Sequence, residues 1–158
     1  MKNYTSCLKS AAMPKMGKRL EVQHIRQNTM KLIAAQATNT PATSENGTLV
    51  IANDANPLES SLDGVKRIDL HFPKFTDGRA FTQAVMLRKR AGFTGEIRAT
   101  GDVLVDQLQQ MARSGFDVAE LRADQDLAAG QRQLDRYAEF YQADVVQKAP
   151  HFAIKEAA

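Results

Sequence analysis

Tryptophan is absent, cysteine occurs once, at Cys7, and aromatic residues make up only 6% of the 158 residues. A single cysteine excludes an internal disulfide and suits a reducing compartment, so a cytoplasmic protein is expected. No apolar run approaches the roughly 18 residues of a membrane span, and the N-terminus lacks the unbroken apolar stretch of a secretory signal. Neither membrane insertion nor export is therefore expected. The three histidines, His24, His71 and His151, stand far apart with no cysteine or carboxylate at metal-ligand spacing, so no metal site is expected. A glycine-rich phosphate loop is missing too, and the lone glycine of "TGDVLVDQ" does not make a dinucleotide fingerprint. The residues name no cofactor, and Cys7 lacks a scaffold on which to act as a nucleophile.

What is present is ordinary globular sequence: 43% hydrophobic and 25% charged residues in a chain long enough for one domain with a real core. The net charge of +3 is unevenly spread. Residues 1–47 carry seven Lys/Arg against Glu21 and Glu45, a net of +5, which leaves 14 basic and 16 acidic residues, a net of −2, for the remainder. A nucleic-acid-binding domain would carry its positive stripe on the folded surface with aromatics interleaved. This distribution excludes that class.

The chain changes character near residue 47. Residues 36–47, "QATNTPATSENG", read as a polar linker, and residues 17–35 fit a short basic amphipathic helix. The plainer reading makes residues 1–29 a tail, or translated sequence upstream of Met30, which opens "MKLIAA". Three segments follow: a basic leader and linker over 1–47, a domain over 48–145 and a tail over 146–158. Within the domain, "TLVIAN", "RIDLHF", "GEIRATGD" and "FDVAELR" read as strands. Residues 79–91 (Phe81, Ala84, Val85, Arg88), 102–114 (Leu104, Leu108, Met111, Ala112) and 124–141 (Leu127, Leu134, Tyr137, Tyr141) have helical spacing. Gly92 and Gly115 read as helix stops, and 54–64 as a weak helix. The alternation predicts an α/β fold with a small, mainly parallel open sheet of about four strands flanked by helices. The alternative is a half-barrel whose exposed edge makes a homo-oligomer.

In such folds ligands meet the loops at the carboxyl ends of strands. Three polar clusters fall there: "PKFTDGR" with Lys74, Thr76, Asp77 and Arg79, "RATGD" with Arg98, Thr100 and Asp102, and "RADQD" with Arg122, Asp124 and Asp126. Together they would present cations beside carboxylates and helix N-termini, a setting that suits a small oxyanion. Lys74, Thr76, Arg79, Arg98 and Arg122 are the candidate binding residues, Arg through its planar fork and Lys as a point charge. Asp77 and Asp102 are candidate general bases. Each carboxylate also has a structural reading: Asp102 and Asp124 as helix caps, Asp77–Gly78 as a turn.

"FPKFTDGRAF" followed by "GFTGEIRATGDVLVDQLQQMARSGFDVAEL" resembles the bacterial family catalogued as domain of unknown function 934, over approximately residues 48–142. The residues that match are Phe72 to Arg79, then Gly101, Asp102, Asp106 and Gln107, then Arg113, Gly115 and Phe116. Members are often labelled oxidoreductases involved in sulfite reduction, a label that reflects genes beside those of assimilatory sulfite reductase. The resemblance therefore implies an accessory role in sulfur assimilation, with a small oxyanion or sulfite reductase itself as partner. Where many relatives carry a cysteine this chain has Ser114, so a thiol mechanism common to the family is excluded here.

Overall fold

A computed structural model describes residues 30–35, 47–137 and 140–153. Cys7, His24, the leader over 1–29, the linker over 36–46 and the last residues of the tail lie outside the described residues. The described residues form five strands: β1 (Lys31–Ala34), β2 (Thr48–Ile51), β3 (Arg67–Phe72), β4 (Glu96–Gly101) and β5 (Val118–Leu121). Three helices accompany them: α1 (Arg79–Lys89), α2 (Leu108–Ser114) and α3 (Leu127–Asp135). The strands form one open sheet in the order β1-β5-β4-β3-β2, and every pairing is parallel.

Side chains alternate across a strand, so register decides which residues share a face. Ile68 lies beside Leu49 and Ile97, Leu70 beside Ile51 and Ala99, and Ala119 beside Ala99 and Leu32. This is the apolar face, and the buried core sits on it. The units β3–α1–β4 and β4–α2–β5 step across the sheet in the same direction, so right-handed crossovers place both helices on that one face. There α1 packs on β3, α2 lies between α1 and α3, and α3 packs on β1. Phe72, Phe81 and Phe116 meet at the centre with ring centroids 5.2–6.3 Å apart. Arg67, Asp69, His71, Glu96, Arg98, Thr100 and Glu120 alternate onto the other face, over which no helix lies among the described residues.

The ends of the helices are closed by two devices. Gly115 takes φ 101°, and its N–H and that of Phe116 return to carbonyls in the last turn of α2. Arg88, on the inner side of α1, donates Nε to the Gly115 carbonyl at 2.9 Å and Nη1 to the carbonyls of Phe93 and Gly95 at 2.8 Å each. Its Nη2 pairs with Asp117, which also accepts from the Ile97 N–H at 2.8 Å. One guanidinium thus ties the turns that lead into β4 and β5.

The α/β fold with a parallel open sheet is as expected, with three corrections. The fifth strand, β1, comes from residues whose spacing suggested a helix. Four residues have too little length to show a period, and pairing with β5 decides the outcome. Residues 54–64 form turns, with the Asn56 side chain accepting from the Leu58 N–H and donating to Glu59. Tyr137 and Tyr141 are exposed rather than packed, because α3 ends at Asp135 and both lie beyond it.

Candidate functional site

The carboxyl ends of β2 to β5 form a rim built from the loops that follow each strand. The loop 73–79 is shaped from both sides. Its Phe75 N–H donates to Asp102 Oδ2 at 2.9 Å, and its Phe75 carbonyl accepts from Gln107 Nε2 at 2.8 Å. Asp102 stands there because β4 ends at Gly101, whose φ of 94° and close approach to the Phe72 carbonyl leave no room for a Cβ. The Asp102 N–H then returns to that same carbonyl at 2.9 Å.

Two ion-pair groups divide the rim. In the first, Asp77 receives a forked pair from Arg79 (Nη2–Oδ2 2.7 Å), the Arg79 N–H at 3.2 Å, and Asn53 Nδ2 from the loop after β2 at 2.7 Å. In the second, Arg122 reaches Asp102 with Nη1 at 2.6 Å and holds Asp124 with Nε and Nη2 at 2.6 and 2.7 Å. The Arg79 hydrogen bonds hold Asp77 down at about 2, and those of Arg122 do the same for Asp124. Asp102 is lowered as well, chiefly by the Phe75 N–H and then by Arg122. The same partners raise the pKa of Arg79 and Arg122.

The expected site residues therefore sort clearly. Asp77, Arg79, Asp102, Arg122 and Asp124 converge on the rim. Lys74 and Thr76 stand on it, both exposed, and Lys74 makes no ion pair with any described residue. Arg98 and Thr100 are not on the rim. Strand β4 runs on to Gly101, so both lie within it on the helix-free face, where Arg98 pairs with Glu120. Neither Asp102 nor Asp124 caps a helix. Asp126 caps α3, accepting from the Ala128 and Ala129 N–H groups at 2.9 and 3.2 Å. Asn53 and Gln107 escape sequence reasoning as site builders, since their partners depend on which strands are neighbours. Gln107 alone carried a signal, its place three residues after Leu104, whose N–H it caps at 3.1 Å.

Chemically this rim is stiff, polar and internally neutralised. A general base works best with a pKa near the ambient pH. Asp77 and Asp102 are both held well below that, with their oxygens already occupied. Arg79 and Arg122 would have to leave a carboxylate to take up a free oxyanion. Phe75, by contrast, has its backbone fixed and its side chain 49% exposed next to Lys74. Among the described residues no group of three or more His, Cys, Asp or Glu could hold a metal ion, and no helix is long and apolar enough to cross a membrane.

Ser114 is buried in the last turn of α2 and donates to the Gln110 carbonyl at 2.8 Å. It lies at the far end of α2 from the rim. Comparison with curated proteins and with solved structures gives no match. Comparison with protein families matches residues 48–152, well over half the chain, from the start of β2 into a 3-10 turn at His151–Ala153. The chain belongs to the family described as "Bacterial protein of unknown function (DUF934)".

Proposed function

We propose that this protein is an accessory chain of assimilatory sulfite or sulfate reduction that docks a protein partner, sulfite reductase or a neighbour in the same process, through the rim around Phe75. The observation that carries this reading is the pinned 73–79 loop, which holds a half-exposed Phe75 beside Lys74, a cation with no ion pair to any described residue. Aromatic anchors on pre-ordered backbone bind with little loss of conformational freedom, and they dominate many interfaces. The carboxylate–arginine pairs around them would form a polar rim that selects by charge. The test is binding of the wild-type chain to purified sulfite reductase subunits by biolayer interferometry. Phe75→Ala should weaken binding at least tenfold, about 1.4 kcal/mol, and Lys74→Glu should slow association more at low salt than at high. No binding of the wild type to any subunit removes the partner reading.

Lys74 also favours a second reading, a small oxyanion held by Lys74 with Arg79 or Arg122. Thermal unfolding against sulfite, sulfate and phosphate tests it. A ligand at 100 times its Kd should stabilise by about 2.7 kcal/mol, and Lys74→Ala should abolish the shift. No shift with any anion refutes that reading and leaves the partner reading standing.

A further inference from the structure

The amino end of the sheet, opposite the rim, carries a cleft of about 480 Å³. Leu62, Val65 and Lys66, just before β3, and residues 91–95, just before β4, line it. Pockets of this size commonly take small molecules. Gly95 lets the two segments meet, since a Cβ there would stand 2.4 Å from the Lys66 carbonyl oxygen. The Glu96 N–H donates to that same oxygen at 2.9 Å. Leu62, Val65 and Phe93 pack against the core from these segments and give the cleft an apolar wall.

Its polar groups are mainly donors in want of an acceptor. Among the described residues, the N–H groups of Gly92, Thr94 and Gly95, the Thr94 hydroxyl and the Lys66 ammonium have no hydrogen-bond or ion-pair partner. The carbonyls of Lys66, Phe93 and Gly95 are by contrast taken up, the first by the Glu96 N–H and the other two by Arg88. No described carboxylate lines the cleft. Segments 62–66 and 89–96 carry Lys66, Lys89 and Arg90 against Asp63 and Glu96, three positive charges to two. Free backbone N–H groups in a turn beside an ammonium attract a negative group. An apolar wall next to them favours an anion that carries a hydrocarbon body.

We propose that this cleft binds a small amphipathic carboxylate, an acyl or aryl acid, with its hydrocarbon against Leu62, Val65 and Phe93 and its carboxylate between Lys66 and the N–H groups of residues 92–95. A bare oxyanion leaves the apolar wall in water, and a neutral ligand leaves the donors without a charged acceptor. An acid with a hydrocarbon body gains from both. The site is separate from the rim, for it stands where β3 and β4 begin, whereas Phe75 and Asp102 lie beyond where they end.

The test is a titration of the isotope-labelled full chain followed by two-dimensional nuclear magnetic resonance, with octanoate and phenylacetate as probes. Both should move the Gly92, Thr94 and Gly95 amide signals in a saturable way and leave those of Phe75 and Asp102 in place. Sulfate, which has no hydrocarbon body, and octanamide and phenylacetamide, which have no charge, should each bind at least tenfold more weakly. Lys66→Met keeps most of the exposed stem and removes the charge, so it should weaken octanoate binding tenfold or more without disturbing the fold, which circular dichroism checks. No saturable movement of these amides with either acid, movement centred on the rim instead, equal affinity for acid and amide, or an unchanged affinity in Lys66→Met overturns the proposal.

Discussion

Replacing Arg88 should be among the most damaging single changes outside the apolar core. Its side chain is 14% exposed, and three carbonyls, those of Phe93, Gly95 and Gly115, depend on it as donor. A hydrogen bond from a charged donor contributes about 1.5–3 kcal/mol, and water reaching part of the vacated site recovers some of that. Arg88→Ala should therefore cost about 3–5 kcal/mol, with lost stem packing included. Arg88→Lys keeps the charge and most of the stem but has no fork to serve three separated acceptors, so about 2 kcal/mol is expected. With total stability typically 5–15 kcal/mol, the alanine variant approaches the unfolding threshold. Urea denaturation followed by far-ultraviolet circular dichroism measures both, tryptophan fluorescence being unavailable to a chain with none. Equal losses for lysine and alanine, or an alanine loss under about 1 kcal/mol, would refute the clasp reasoning.

Four further outcomes follow from the geometry. Gly101→Ala should lower stability by about 3 kcal/mol or more, since φ is 94° and the new Cβ would meet the Phe72 carbonyl at 2.4 Å, a contact only backbone movement relieves; thermal melts read it. Asp126→Ala should cost about 1 kcal/mol through loss of the α3 cap, while Asp124→Ala should leave α3 helicity unchanged; circular dichroism during urea titration separates them. Asp77, held at about 2 in the folded chain against 3.8 when unperturbed, contributes stability above pH 4 that is lost as pH falls towards 2. Acid titration of Asp77→Asn should lack that component, and an unchanged acid transition would contradict it. Ser114→Cys should be tolerated within about 1 kcal/mol and stay inert to thiol reagents in the folded state, because the site is buried inside a helix turn.

Much of the fold is legible in the sequence where a local signal and the tertiary outcome agree. "RIDLHF" alternates over six residues, enough to reveal a strand with one polar face, and Gly115 stops α2 where the text of the chain says it should. β1 is not legible because its four residues become a strand only by pairing with β5. The helix start at Asp126, two residues past the expected Asp124, depends on Arg122 capturing Asp124 first. For the site, the three clusters after β3, β4 and β5 are legible, since topology alone sends them to one end. Which cations remain free is not, because pairing is settled by distances of an ångström. Proximity to Asp102 along the chain points Arg98 to the rim, yet it falls on the helix-free face because β4 continues past it.

The pairing of β1 with β5 also bears on how the chain is made. During synthesis the strands β2, β3 and β4 leave the ribosome in the order in which they pair, each closing on its predecessor. β1 emerges before all of them, yet among the described residues its one partner in the sheet is the last strand to appear. It must remain unpaired until Leu121 has cleared the exit tunnel, and the exposed edge of β5 is capped only then. Non-local pairing of this kind is slow, and an uncovered edge invites pairing with another chain. A fusion or truncation that disturbs Met30–Ala34 should therefore show first as lower soluble yield during expression, with the β2–β5 part of the sheet otherwise intact.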